Sequence, residues 1–343
     1  MEYDCIIIGA GIGGLASALK LTSFGKKILV LERQSKPGGF VNTFKRNGFT
    51  FESAIHCIDA LGKDGEIRKY LKEFDIEDKI EFIELENFAH IIYPEYNFIL
   101  DFKRQNLLEF LNTNFPHEKN NILRLFNYLN KFYKEFDNFS ESNLPIWIRA
   151  VGSLFFYPKL VKISKLTVRE LFKKFIKDEK LFAILADLWK FIGIPPSKAS
   201  ALYFLLIFRG YYLEPTSYIR GGSSELIKII VEKIKECGGD IIFNTEVKKI
   251  ITDKGKKVKG VITDTKEFKA KTVISNANSI DTLTKLIDND KVKEKYNWIL
   301  NLEKSLSAFQ VYLGLSTTTK KLGLNCPMLF INTTYDHEKS FLD

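Results

Sequence analysis

The chain has 343 residues, 45% hydrophobic and 27% charged, with 51 Lys and Arg against 42 Asp and Glu for a formal charge of +9. This is the composition of a globular protein of about two domains with a sizeable core. Its positive charge is spread along the chain beside abundant Ile, Asn and Phe, as an AT-rich coding sequence produces, so nucleic acid is not expected among its partners. Cys5, Cys57, Cys237 and Cys326 form no C-x-x-C pair, which argues against a disulfide framework or zinc site and fits a reducing, cytoplasmic setting. The four histidines are isolated, so no metal site is expected. No apolar run reaches the length of a bilayer span, and the first one reads as a strand, not a signal peptide.

Residues 4–8 are an unbroken apolar run, as in a strand buried on both faces of a parallel sheet. From Gly13 to about Ser23 the spacing turns helical, with Leu15, Ala18, Leu19 and Phe24 at three- and four-residue steps, and Gly25 ends it. Residues 27–31 form a second buried strand closing on Glu32, which completes a βαβ start. In "FVNTFKRNGFTFES" (40–53) two alternating runs flank Asn47-Gly48 and predict a hairpin. From about residue 71 to 215 short strand-like pieces give way to aromatic-rich helical segments, such as 120–136 and 179–193. The first texture then returns: a Gly-Gly turn, a helix with Ser223 as N-cap, a Gly238-Gly239 stop and a further strand. Residues 253–271 read as a solvated β-hairpin and "KTVISNA" (271–277) as an apolar strand with a polar exit. The expected architecture is α/β. A Rossmann-like dinucleotide domain with a central parallel sheet is assembled from 1–70 and 215–280, and a mostly helical substrate domain occupies 71–214 and resumes over 281–343.

Gly9, Gly11 and Gly14 spell G-x-G-x-x-G between a strand and a helix, and an acid, Glu32, ends the second strand about twenty residues on. Gly9 makes the tight turn, Gly11 admits a pyrophosphate to the backbone, and Gly14 permits close helix–strand packing. Ala10 and Gly13 belong to the same loop. The helix N-terminus faces the phosphates, and Glu32 accepts the ribose hydroxyls while repelling a 2′-phosphate. FAD and NAD share this fingerprint.

The flanks are more specific. "LERQSKPGGF" (31–40) sets Arg33 beside Glu32 and Gly38-Gly39 shortly after. It resembles the E-R-x(4)-G-G pattern beside the FAD of amine oxidases and carotenoid desaturases. The longer stretch through "NGFTFESAIHCI" is most similar to the carotenoid desaturase, carotene isomerase and retinol saturase group of that superfamily. After the insertion, "YIRGGSSELIKIIVEKIKECGGDIIFNTEVKKI" resembles the group's second Gly-Gly helix and the strand whose valine, here Val247, lies against the adenine; "VISNANS" resembles the strand end that follows. The resemblance covers residues 3–60 and 215–280. It implies FAD as cofactor and a flavin-dependent oxidoreductase acting on carbon–carbon double bonds of a carotenoid, retinoid or other isoprenoid lipid. An amine-oxidase-like enzyme is the runner-up, and a non-catalytic remnant, split half or prenyl-binding protein is the alternative from another class. The chain departs from the group's pattern at Ala54, where glycine is usual. It also ends at "DHEKSFLD" without the Gly-Asp and glycine-rich helix that close the family's flavin site, so a truncated chain is expected.

The Phe- and Tyr-rich middle suits either an apolar tunnel for a polyene or a core filled with aromatics. "LPIWIRAVGSLFFYPKLVKISKL" (144–166) carries Trp147, Arg149, Lys159, Lys162 and Lys165 at its edges. It reads as an interface-lying segment for peripheral membrane association or as a core helix pair broken at Pro158. His56 and Glu52 are the candidates for acid–base work near a flavin, and no catalytic side chain is assigned.

Overall fold

The computed structural model describes residues 2–59, 61, 65–101, 104–142, 144–214, 216–253, 257–302 and 308–342. Residues 254–256 of the predicted hairpin, Pro215 at the predicted boundary and the Trp147 side chain lie outside them. The chain divides into two compact units. One comprises Met1–Glu84, Ser217–Lys304 and Tyr312–Gly314; the other comprises Leu85–Thr216, Ser305–Val311 and Leu315–Asp343.

The first unit is built on β1 (Glu2–Ile8), α1 (Ile12–Ser23) and β2 (Ile28–Leu31). β1 lies inside a six-stranded sheet. It pairs in parallel with Glu267–Ser275 on one side and with β2 on the other, and β2 pairs in parallel with Asp240–Ile242. Lys257–Thr263 and Val247–Asp253 extend the far edge antiparallel, so the sheet is mixed and not wholly parallel. The segment read as a solvated hairpin is thus part of this sheet, and Val261 and Ala270 turn its inner face into the core.

The unbroken apolar run of β1 has a direct cause. Cys5 and Ile7 pack with α1, Val30 and the helix Ser223–Glu236, whereas Ile6 and Ile8 pack with Leu29, Leu31 and Val261. Alternate side chains feed opposite cores, and each buried isoleucine contributes roughly 1.5–3 kcal/mol. α1 buries Leu15, Ala18 and Leu19, and the chain then reverses through Gly25, whose N–H donates to Thr22 O at 2.8 Å. The predicted hairpin is present as β3 (Thr43–Arg46) and β4 (Phe49–Glu52). Asn47 and Gly48 both take the positive φ that a type I′ turn needs, 51° and 81°.

The second unit carries the helices, among them Lys119–Glu141, Glu179–Ala186 and Ala201–Tyr212, with a three-stranded sheet ordered Met328–Ile331, Asn87–Ile92, Asn97–Asp101. The segment 179–193 is two helices, not one. Asp187 and Leu188 interrupt it before Trp189–Ile192, and the buried Asp187 carboxylate accepts from Tyr93 Oη at 2.9 Å and Lys190 Nζ at 2.7 Å. Phe126, Phe132, Phe172, Phe204 and Phe208 are fully buried and pack edge-to-face or tilted, as in Phe172–Phe204 with centroids 5.7 Å apart. These phenylalanines fill the core of their own unit. The apolar stretch 144–166 is the helix pair Ile146–Phe156 and Pro158–Ser164, broken at Pro158. Among the described residues no helix is long and apolar enough to cross a membrane, and no cluster of His, Cys, Asp or Glu could hold a metal.

Candidate functional site

At the end of β1 the chain turns at Gly9, where φ is +96°, a conformation open to glycine and costly to other residues. Three separate segments converge there. Gly9 N–H donates to Leu31 O at 2.8 Å, Asn276 N–H to Ile8 O at 2.8 Å, and Gly38 N–H to Ala10 O at 2.7 Å. α1 starts at once, with Gly11 at its N-cap, no side-chain cap and no acid in its first turn. Its first amides and the positive end of its dipole therefore face the space above the loop without an acceptor among the described residues. A methyl group on Gly14 would overlap the Gly9 carbonyl oxygen; glycine here lets the helix begin directly against the strand.

Glu32 is 9% exposed. Its Oε2 accepts from Ala10 N–H at 2.7 Å and its Oε1 from Gln34 N–H at 2.8 Å. Each oxygen retains a lone pair, so the carboxylate braces the loop and still has acceptor capacity for a pair of hydroxyls. The result is a cleft of about 630 Å³, within the usual range for a small-molecule or cofactor site. Of the residues singled out in the sequence, Gly9, Gly11, Gly13, Glu32, Arg33, Gly38, Gly39 and Val247 line it. Ala10 and Gly14 are buried in the loop and in α1, outside that lining. The lining also includes Thr245, Glu246, Asn276 and Lys285, which motif reading passed over. For Asn276 a signal existed, the polar exit of "VISNANS". For Glu246 and Lys285 there was none. The Lys248 ammonium beside Glu246, with Arg33 and Lys285 farther off, holds the Glu246 carboxyl below the usual carboxylate range, so this rim carries a fixed mixture of both charges.

The acid–base candidates sit elsewhere. Glu52 accepts from Tyr218 Oη at 2.6 Å, from Ser223 N–H at 2.7 Å and from Ser223 Oγ at 2.6 Å. Burial, and next the bond to Glu52, push the Tyr218 hydroxyl well above its ordinary pKa. Glu52 is therefore the cap of the helix Ser223–Glu236. Ser223 is not its N-cap: Gly222 holds that position without a side-chain bond, and the Ser223 hydroxyl donates to Glu52 instead. His56 is exposed and does not line the cleft.

A model of the flavin-containing amine oxidoreductase family matches residues 12–324. The chain belongs to that family. Among curated relatives, the chloroplastic prolycopene isomerase of Daucus carota is 27% identical over 333 residues, covering 95% of this chain and 54% of that protein. The all-trans-retinol 13,14-reductase of Rattus norvegicus is 25% identical over 359 residues, covering 99% of this chain and 58% of that protein. The chain thus spans about half the length of the curated relatives it matches. Among solved structures, an oxidoreductase from Methanosarcina mazei aligns with a TM-score of 0.62 at 21% identity, over 88% of this chain and 64% of that one. A putrescine oxidase aligns with a TM-score of 0.58 at 15% identity, over 84% of this chain and 60% of that one. These likenesses establish the fold.

The matched family is described as flavin-containing, so the prosthetic group against which to test the site is a flavin dinucleotide. The site fits such a group. It offers an uncapped helix N-terminus for a pyrophosphate, a buried carboxylate with free lone pairs for a ribose, and glycines at the points where a side chain would fill the cradle.

Proposed function

We propose that the cleft of the first unit holds FAD and that the protein is an oxidoreductase acting on carbon–carbon double bonds of a conjugated isoprenoid, a carotenoid or retinoid. The observation that carries the reading is the joining of the Gly9–Gly14 loop, the braced Glu32 and the Val247 strand end in one cleft. The names of the relatives, prolycopene isomerase and retinol reductase, support the substrate class. In this reading the amides of the first turn of α1 hold the pyrophosphate, Glu32 orients the adenosine ribose, and Val247, 5% exposed, offers an apolar wall to the adenine. Gly38 and Gly39 let the backbone approach the cofactor without side chains in the way. Bound flavin supplies hydride transfer at its N5, chemistry that asks the protein chiefly for position and dryness.

The test is spectroscopic. Purified protein is expected to show a flavin absorption spectrum, alone or after addition of FAD, and to release FAD on heating. With FAD and a reductant it is expected to shift the absorption of prolycopene or retinol. Protein that binds FAD no better than FMN or NAD overturns the cofactor assignment; an FAD-loaded protein that alters neither polyene overturns the substrate class.

A specific observation also supports peripheral attachment to an anionic membrane. Phe155 and Phe156, at the end of the helix Ile146–Phe156, are 84% and 75% exposed, and the next helix is followed or lined by the exposed Lys162 and Lys165. Adjacent exposed aromatics with flanking lysines suit an interfacial anchor. Four free cysteines fit the cytoplasmic side. Flotation with vesicles containing one-third phosphatidylserine is expected to carry the wild type upward and to leave the Phe155→Ser, Phe156→Ser double variant at the bottom. Equal flotation of the two overturns this part of the reading.

A further inference from the structure

The glycines of the loop accommodate something besides a cofactor. A Cβ added at Gly11 would come within 2.9 Å of Asn276 Nδ2, one at Gly13 within 2.9 Å of Asn276 Oδ1, and one at Gly14 within 3.2 Å of Nδ2. One carboxamide, from a residue more than 260 positions away in the chain, therefore lies across the first turn of α1. Its backbone is pinned by the 2.8 Å bond from Asn276 N–H to Ile8 O. The side chain is exposed to the cleft and has no hydrogen-bond partner among the described residues.

We propose that Asn276 is a phosphate-positioning residue, whose amide N–H donates to the cofactor's pyrophosphate alongside the free amides of α1. The inference rests on the dinucleotide reading above and adds to it a side-chain donor from a different strand. The charge arrangement agrees. α1 has no acid in its first turn to compete for those donors, and the rim carboxylates Asp281 and Glu246 are each paired with a lysine, Lys285 at 2.7 Å and Lys248 at 2.5 Å. An asparagine that served only as packing would be as well replaced by an isosteric aspartate. A donor to an anion would not, because aspartate brings a negative charge and no donor.

The test compares ADP, adenosine and FAD binding by calorimetry in wild type, Asn276→Asp and Asn276→Ala, with thermal melts to confirm folding. Loss of a hydrogen bond to a charged group corresponds to about tenfold or more in affinity. Asn276→Ala is expected to lose about that factor for ADP and FAD, Asn276→Asp more, and adenosine, which has no phosphate, is expected to bind both variants as it binds wild type. Equal weakening of adenosine and ADP, or unchanged ADP binding in both variants, overturns the inference while leaving the dinucleotide site intact. Wild-type protein that binds neither ADP nor FAD overturns the dinucleotide reading and this inference with it.

Discussion

Gly14→Ala is expected to weaken FAD binding on the order of a hundredfold and to lower the melting temperature by about 5–10 °C. The added methyl group would overlap the carbonyl oxygen of Gly9, a backbone atom held by the sheet and unable to swing aside as a side chain would. Overpacking a well-packed site costs about 1–3 kcal/mol, and a clash with fixed backbone belongs at the top of that range. The only relief is for α1 to lift away from β1, which displaces the same amides that face the cleft. A loss of about 3 kcal/mol in binding is on the order of a hundredfold in affinity. Gly25→Ala is the control. Gly25 has a φ of +71° with nothing within 4 Å of its added Cβ, so the cost is backbone strain alone, roughly 1–2 kcal/mol, and FAD affinity is expected to hold. FAD fluorescence titrations and melts on both variants check the pair. FAD binding weakened by Gly25→Ala in proportion to its loss of stability, as in Gly14→Ala, would mean that general destabilisation, not the close approach at Gly14, governs the site.

Glu32→Ala is expected to reduce FAD affinity by about a hundredfold or more and to cost about 2–3 kcal/mol in stability. The stability loss comes mainly from one amide. Ala10 is wholly buried, so its N–H loses its acceptor among the described residues, the Glu32 Oε2 at 2.7 Å. Gln34 is exposed, and its amide can turn to water. The affinity loss adds the two ribose hydroxyls that the remaining lone pairs would accept. Glu32→Gln separates the two effects, since a neutral amide oxygen still satisfies Ala10 while its NH₂ opposes the Gln34 N–H. It is expected to keep most of the stability and to lose most of the FAD affinity. Urea unfolding with a parallel titration gives both numbers. A Glu32→Ala protein that binds FAD as wild type does would show that the ribose is held elsewhere.

Both variants lie in the part of the molecule that was readable beforehand. The strand of residues 4–8, the helix that follows and the second strand ending on Glu32 announce themselves because each is defined by local periodicity, and because the glycine spacing has a local steric cause. The Asn47-Gly48 turn is legible for the same reason: its positive φ values are a property of those two residues. Reading failed where a partner lay far along the chain. Ser223 looks like an N-cap from its neighbours, but Glu52, 171 positions away, supplies the acceptor. The segment 179–193 keeps a helical apolar rhythm, but Asp187 leaves the helix to meet Tyr93, 94 positions away. Glu52 and His56 attracted attention as acid–base groups by type and position in the motif. One proved to be a cap, and the other is exposed outside the cleft.

Composition and motif by themselves determined a two-part α/β chain with a glycine-rich strand–helix loop, an acid closing the second strand and a flavin-family signature, because turn geometry, helix period and glycine sterics act over a few residues. Tertiary structure alone decided that the buried phenylalanines are core, that the central sheet is mixed, and that Asn276 crosses the Gly9–Gly14 loop. The last depends on the parallel register that sets Ile8 opposite Ser275. Such a register follows from the packing of two cores on either side of β1, not from any pattern within either strand.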